Sequence, residues 1–494
     1  DRMESRLRNQ IGRLKHDSQR LDSYDAAIRE YIDQGYAERV PDDELKGPTG
    51  KTVYLPHHAV QHKRKDKLRV VFNAADKSAG KSVNDGIMVC PDVLQSLLGI
   101  LLRFRQRKFA ATADITAFFH QVLTRPEDRD RHRFLWFETT GTDRILRHYR
   151  MTRHLFGGTA SQTCSIVARD CSVQDAATAG VVSEERADRI KKSIYSDDWA
   201  ESFDDQDELH EAKQATKLAL EYGGFPLAKF RYTFDREAGS DCGVLGLNWT
   251  TSTDELSTFK PDLNPDIINT TRQLLSALMK TYDPIGFLQP FIIPLKLLVQ
   301  DVLHRQVGNW DRVLDHDHHQ EAKECMKAIV ALHEIRIPRC YVPRWMNNIV
   351  CRQIHAFGDG SERAYGSCVF LRHVDGSGQS ACTLMIAKGK LCPKAKLLTI
   401  PRIELCAAVL AVRLVDMLRR ELDVKVDGVF FWTDSLPVLK YINNTTKRFH
   451  VFVGHRVSEV RGSSDVRQWR HVPSDMNPAD SISRGLKFKD SQRS

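Results

Sequence analysis

The chain has 494 residues, 41% of them hydrophobic and 28% charged, with 73 Lys and Arg against 64 Asp and Glu for a net charge of +9. That length exceeds one hydrophobic core and predicts three or four domains, and the composition excludes a disordered chain. The mild positive excess permits a polyanion partner without demanding one, and no apolar run approaches the roughly 18 residues of a membrane span. The eleven cysteines are dispersed with no Cys-x-x-Cys pair, which argues against zinc modules and a disulfide framework and points to a reducing compartment.

Residues 1–44 are highly charged, with Ile11, Leu14, Leu21 and Ile28 at sevens and threes, a spacing that predicts an amphipathic helical lead-in docked on the next part of the chain. Thr52–Leu55 and Leu68–Phe72 are strand-like and flank the basic tip His62-Lys63-Arg64-Lys65-Asp66-Lys67. A triphosphate beside a carboxylate–metal site needs such cations to offset and position its charge, although Lys63 and Arg64 individually read as solvated. Pro91 to Arg105 reads as a helix, with Val93, Leu94, Leu97, Leu98 and Leu101 on one face and a basic end.

Phe109 to Ile115 is a small-residue apolar run that reads as a buried strand delivering Asp114 at its end; Phe118 or Phe119 must then fill core. Phe134–Phe137 and Leu146–Arg150 read as a strand pair turning at Thr140-Gly141. The segment Leu155-Phe156-Gly157-Gly158-Thr159-Ala160-Ser161-Gln162 allows close backbone approach and leads into a helix to Gln174. Next comes Ile194-Tyr195-Ser196-Asp197-Asp198-Trp199. Adjacent carboxylates repel each other and are poor strand formers, and a divalent cation is the usual offset. Taken alone, an Asp-Asp pair reads as a solvated turn. With Asp114 it becomes a three-carboxylate set of the kind that clamps two metals for in-line phosphoryl displacement.

Leu209–Tyr222 reads as a helix stopped by Gly223-Gly224, and Val244–Trp249 as a strand. From 265 to 305 the pattern is helical, broken at Tyr282-Asp283-Pro284-Ile285-Gly286, and predicts a thumb-like subdomain facing nucleic acid. Residues 306–350 read as a polar connector, and His316-Asp317-His318-His319 within it as a polar loop rather than a metal site.

A second acid set lies further along. Asp359 is in the strand-like Ile354–Ser361, and Ala364–Leu371 reads as the next strand. Thr399-Ile400-Pro401 opens a helix, with Thr as cap and Pro in the first turn. Glu404 sits early on that helix, whose buried stripe is Leu405, Ala408, Val409, Val412 and Val415. The buried strand Val429–Trp432 delivers Asp434, and Asn477-Pro478-Ala479-Asp480 opens another helix, with Asn477 holding its loop. Any one of these acids taken alone reads as surface or cap.

At these residues the sequence resembles the reverse transcriptases of the Pao/BEL group of long-terminal-repeat retrotransposons. Further matching stretches are Tyr54–Val60, Arg69–Phe72, Leu101–Arg105, Leu155–Gly157, Val244–Leu247, Tyr282–Phe287 and Leu398–Leu405, so the resemblance covers about residues 45 to 485. The order Asp, Glu, Asp, Asp on a β-β-α-β-α pattern resembles ribonuclease H. The resemblance implies a multidomain α+β fold: a helical lead-in (1–44), reverse transcriptase fingers and palm (45–250), a thumb-like and connection region (251–350), a ribonuclease H-like α/β domain (351–485) and a tail (486–494).

It also implies two activities. Asp114, Asp197 and Asp198 would carry RNA- and DNA-templated DNA synthesis, and Asp359, Glu404, Asp434 and Asp480 hydrolysis of RNA in RNA–DNA hybrids, with two Mg²⁺ ions per site and Mn²⁺ as the alternative ion. Lys67 and Arg69 would contact the nucleotide's phosphates. Phe119 would be a steric gate beneath the sugar, Phe156, Gly157 and Ser161 would position the nucleotide, and Lys229 would stand near the departing pyrophosphate. The implied partners are an RNA template, a DNA primer, RNA–DNA hybrid and deoxynucleoside triphosphates, with no membrane. The implied location is intracellular, in a cytoplasmic particle or the nucleus. The chain opens at Asp1 without an initiator Met and reads as a piece of a longer product, and it contains neither Asp-Thr-Gly nor Asp-Ser-Gly. The aspartic peptidase and integrase of such a polyprotein are therefore expected outside it. Phe230 and Tyr232-Thr233 depart from the family pattern beside Lys229, and Asn73, Gln162 and Ser196 depart from it and support an alternative, a decayed or domesticated copy that binds nucleic acid without catalysis. All seven site carboxylates are nevertheless present.

Overall fold

The structure, a computed structural model, describes residues 2–14, 17–47, 50–61, 68–77, 80–140, 143–234, 241–305, 309–394 and 398–486. It divides into two compact units, Asp1–Gln95 with Ala113–Trp199 and Glu211–Lys229, and Ser96–Thr112 with Ala200–His210 and Phe230–Ser494.

The lead-in is two helices, α1 (Arg2–Leu14) and α2 (Ser18–Asp33), the second started by Asp17, whose side chain accepts from Arg20 N. Strands β1 (Ala37–Arg39), β2 (His57–Gln61) and β3 (Leu68–Phe72) come next. Leu7, Ile11, Leu21, Tyr24 and Ile28 are buried in one cluster with Leu55, Val70, Phe72 and Phe134, so the amphipathic stripe docks on the strands. Burying each such side chain stabilises by about 1.5–3 kcal/mol. The basic tip with Lys67, Lys63 and Arg64 lies outside the described residues, as does Gly141.

Helix α3 (Leu97–Phe104) starts later than the apolar spacing predicts. Asp92 accepts from Leu94 N, and Ser96 caps the helix by accepting from Gly99 N. These local side-chain bonds hold 91–96 out of the helix. Strands β4 (Phe109–Ile115), β5 (Arg133–Thr140) and β6 (Asp143–Met151) precede α4 (Ser161–Thr178) and α5 (Glu184–Lys192). Then come β7 (Ile194–Tyr195), β8 (Asp198–Phe203), α6 (Gln206–Tyr222) and β9 (Leu227–Tyr232). The sheets run β1-β6-β5 and β7-β8-β4-β9, which puts the strand ends carrying Asp114 and Asp198 side by side.

The strand-like segment 244–249 lies in a hairpin, β10 (Asp241–Val244) and β11 (Leu247–Thr250). Leu245 and Gly246 both have positive φ, +46° and +86°, the requirement of a tight two-residue turn. Next are β12 (Glu255–Thr258), α7 (Thr271–Met279), α8 (Gln289–Arg305), α9 (His316–Ala331) and β13 (Ile337–Pro338). The histidine cluster expected as a loop is the first turn of α9, capped by Asp315.

Helix α8, in the region expected to form a thumb-like subdomain, buries Ile292, Ile293, Leu295, Leu297, Leu298, Val299 and Val302. The preceding turn is built for docking. The Asp283 carboxylate accepts from Gly286 N and Leu288 N at 2.8 and 2.9 Å, and Ile285 O accepts from Ala387 N at 2.9 Å. A Cβ on Gly286 would stand 1.8 Å from Ala387 O. Only glycine fits there.

The remaining strands β14 (Ile349–Gly360), β15 (Ala364–Asp375), β16 (Ser380–Leu391), β17 (Gly428–Thr433) and β18 (Trp469–His471) form one sheet in the order β16-β15-β14-β17-β18. β14 pairs antiparallel with β15 and parallel with β17. The helices are α10 (Ile400–Glu421), α11 (Leu436–Asn443), α12 (Val451–Ser463) and α13 (Asp480–Arg484). The α10 stripe packs with Ile354, Ala356, Phe431, Val453, Val457 and Val460 in one core. Of the tail, only Leu486 is described. Among the described residues no helix is long and apolar enough to cross a membrane.

Candidate active sites

The first site forms where β4 ends beside the β7–β8 turn. Tyr195 pairs with Asp198, so Ser196-Asp197 is a two-residue turn, and Ser196 adopts φ +55°. Asp197 O accepts from Ile115 N at 2.8 Å, which ties the turn to the strand bearing Asp114. The ligand oxygens of Asp114, Asp197 and Asp198 all lie within 4.8 Å of one another. Among the described residues this is the one group of three or more potential metal ligands so tightly gathered. Burial first, and then the Asp114 charge, push the Asp197 carboxyl above its ordinary range, partly offset by the Ser196 hydroxyl and the Arg69 guanidinium. Lys229 Nζ is ion-paired with Asp114 Oδ2. Repelling carboxylates beside a lysine counter-ion are a hard-oxygen donor set that fits Mg²⁺.

Around the triad, Arg69 is exposed on β3. Phe118 is core at 3% exposure, which leaves Phe119 half-buried, edge-on to Phe156 at 4.7 Å. Gly157 takes φ +109°, and a Cβ there would come 2.4 Å from Phe72 O. Asn84 braces this turn, donating to Gly157 O and accepting from Thr159 N. Ser161 is buried at the start of α4, and Gln162 is exposed beside it. Asn73 accepts from Ala75 N and ends β3 in a turn.

The second site lies at the ends of β14 and β17. Cβ atoms on Gly358 and Gly360 would meet Ala407 at 3.2 Å and Glu404 N at 2.9 Å, so these glycines let β14 approach α10 and bring Asp359 to Glu404. Each acid has a partner. Ser483 Oγ donates to Asp359, Ser435 Oγ to Glu404 and Ser474 Oγ to Asp434, while Arg484 Nε donates to Asp480. Burial first raises the Asp359 carboxyl, with the Asp434 and Asp480 charges adding and Ser483 opposing. Burial first raises Glu404 too, with Asp434 and Asp359 adding and Ser435 opposing. Asp434 Oδ1 is buried without a hydrogen-bond partner, an orphaned oxygen that fits a cation ligand. Asn477 donates to Gly358 O and accepts from Ala479 N, so it bonds backbone on both sides.

Sequence reasoning missed Asn84, Arg169 and the three serines. Arg169 is buried on α4 and donates to Ser196 O. The only signal for it is a charged pair, Arg169-Asp170, in a helix otherwise rich in small residues.

The two acid sets thus lie on a sheet-and-helix region and on a five-stranded mixed sheet carrying helices. Residues 270–435 match the family described as the Pao retrotransposon-like RNaseH-like domain. The match runs across the division expected at residue 350, and it includes α8, whose Ile293 and Leu297 pack with Ala364 at the start of β15. No curated protein matches the sequence. Among solved structures, the chain is similar to the foamy viral protease-reverse transcriptase dRH in complex with ds DNA, at 15% identity over 92% of this chain and 70% of that one, with a TM-score of 0.59. It is also similar to the foamy viral protease-reverse transcriptase in complex with dsDNA, at 15% identity over 92% and 83%, with a TM-score of 0.55. The fold is that of a retroviral reverse transcriptase with an RNase H-like domain. Family match and fold together support a retroelement reverse transcriptase–ribonuclease H fragment.

Proposed function

We propose that the chain is an RNA-directed DNA polymerase with ribonuclease H activity. The observation that carries this reading is the convergence of Asp114, Asp197 and Asp198 within 4.8 Å on a strand end and an adjoining tight turn. Mg²⁺ held by these three acids, and by Asp359, Glu404, Asp434 and Asp480 in the second domain, would neutralise charge on a phosphoryl group and acidify a bound water.

The protein's own groups do the rest. Arg69, on an exposed strand position near Asp197, and Lys67 offset the triphosphate charge. Phe119, backed by the edge of Phe156, presents a ring under the sugar and excludes a 2′-hydroxyl. Gly157 and Ser161 allow the backbone to approach the nucleotide. Lys229, already paired with Asp114, offers a cation to the leaving pyrophosphate. In the second domain the serine hydroxyls hold the carboxylates in fixed directions. The substrates are deoxynucleoside triphosphates on an RNA or DNA template with a DNA primer, and RNA–DNA hybrid. Primer extension on an RNA template with purified protein and Mg²⁺ tests the reading. Extension that stops on chelation supports it. Retained hybrid binding with neither extension nor cleavage would replace it with a non-catalytic binder.

A further inference from the structure

We infer that Arg169 is a positioning residue for the first site, fixing the direction of Asp197; this rests on the polymerase reading above. Arg169 lies on α4 at 1% exposure. A guanidinium cannot shed its charge, so its burial is unfavourable unless it is paired and hydrogen-bonded. Here Nε and Nη2 donate to Asp170 Oδ1 at 2.9 and 2.6 Å, and Nη1 donates to Ser196 O at 2.7 Å. Ser196 is the residue held at φ +55°, a conformation side-chain-bearing residues seldom adopt. The next carbonyl, Asp197 O, accepts from Ile115 N on the strand that delivers Asp114.

Two consecutive carbonyls of the turn are thus pinned, one by the guanidinium and one by the strand of the third acid. With Ser196 O fixed, the Ser196–Asp197 peptide cannot rotate, and the Asp197 side chain keeps its aim at Asp114. Packing alone does not call for a charge here, because Ile166 and Val173 on the same helix already fill the core. A planar fork that reaches a carbonyl and a carboxylate together is a task for arginine, which lysine performs only in part.

The test compares Arg169→Gln and Arg169→Lys with the wild-type chain. Mn²⁺ binding is followed by water proton relaxation, and Asp197→Asn defines which ions belong to the triad. Arg169→Gln should weaken triad Mn²⁺ binding about tenfold, the scale of one lost charge-assisted hydrogen bond. It should lower the kcat of extension about 10²-fold, as a displacement near 1 Å does. Primer–template affinity and hybrid cleavage should stay unchanged, and Arg169→Lys should restore part of the loss. Unchanged Mn²⁺ binding and kcat in folded Arg169→Gln would overturn the inference. So would a loss shared equally by primer–template binding and hybrid cleavage, which marks a merely structural role. If Arg169→Gln does not fold, Asp170→Asn frees the guanidinium from its anchor, and weaker triad Mn²⁺ binding supports the inference while unchanged binding overturns it. If the wild type extends no primer, the polymerase reading fails, while the Mn²⁺ titration still decides the role of Arg169.

Discussion

The two acid sets solve the same electrostatic problem differently. In the first, three carboxylates crowd within 4.8 Å, and a lysine pairs with Asp114. In the second, the acids are not gathered so closely, and all four are held, three by serine hydroxyls and one by Arg484. A hydroxyl directs a carboxylate without cancelling its charge, whereas crowding sets charges against one another. The triad therefore carries a repulsion that Lys229 offsets at Asp114, whereas each acid of the second set is held by a named side chain. The triad is tied to its surroundings chiefly at the Ser196-Asp197 turn, through the bond from Ile115 N to Asp197 O and the Arg169 guanidinium on Ser196 O.

The strongest way to break this comparison is to remove charge from one set and assay both. Asp114→Asn, Asp197→Asn or Asp198→Asn should reduce extension by about 10³-fold or more, since metal neutralisation of developing charge is worth several kcal/mol. Hybrid cleavage should persist. Glu404→Gln or Asp434→Asn should do the reverse, and chelation should stop both activities. Hybrid binding should survive in every variant and weaken with salt. Paired extension and cleavage assays on the same preparations check this. Loss of both activities from one substitution, with the circular dichroism spectrum intact, would mean that the sets are not independent.

A smaller effect separates the sites by what they sense. Phe119, edge-on to Phe156, is the sugar gate proposed for the first activity, and Phe119→Val should raise ribonucleotide use relative to deoxynucleotide use by about 10²-fold, the range over which a shaped pocket discriminates one hydroxyl. Competing nucleotides in extension assays measure it. A wild type that already uses both sugars equally would remove the gate from the argument.

Much of this arrangement is legible in the sequence because period and burial coincide. Phe109–Ile115 and Val429–Trp432 are apolar runs that end at or beside an acid, and both are strands that deliver it. Thr399-Ile400-Pro401 takes the N-terminal position of α10, although the Thr399 hydroxyl makes no cap bond. Other elements are hidden by composition. Helix α12 is rich in valine and resembles a strand, and only the helical spacing of Val453, Val457 and Val460 betrays it. Strand β16 ends in Lys-Gly-Lys-Leu and lacks a clean alternation. The docking of α8 depends on a glycine against Ala387, about a hundred residues away, and apolar helices look alike whether they meet nucleic acid or protein. The partners of the acids are the least legible part. Ser483 reaches Asp359 across 124 residues, and Ser435 reaches Glu404 across 31. Such bonds exist only once the strands and helices are in place.

Those serines supply the finest test of the comparison. Ser435→Ala and Ser483→Ala each remove a hydrogen bond to a carboxylate whose pKa burial has already raised. The hydroxyl opposes that rise, so its loss makes the carboxyl harder to ionise and frees its rotation. Both effects disfavour a metal ligand. A hydrogen bond to a charged group is worth about 1.5–3 kcal/mol, and part of that should be recovered when a cation takes over the freed oxygen. Each substitution should therefore raise the Mg²⁺ concentration for half-maximal hybrid cleavage by about tenfold. Cleavage at saturating Mg²⁺ should change little. Extension should keep its wild-type Mg²⁺ dependence, because the serine hydroxyl that stabilises Asp197 is its own neighbour in the turn, and neither substitution touches it. Mg²⁺ titrations of both activities on each variant decide the matter. A shift in extension equal to that in cleavage would show that the serines do not act on the second set alone, and a cleavage loss that saturating Mg²⁺ does not restore would show that the hydroxyls do more than tune the hold on the cation.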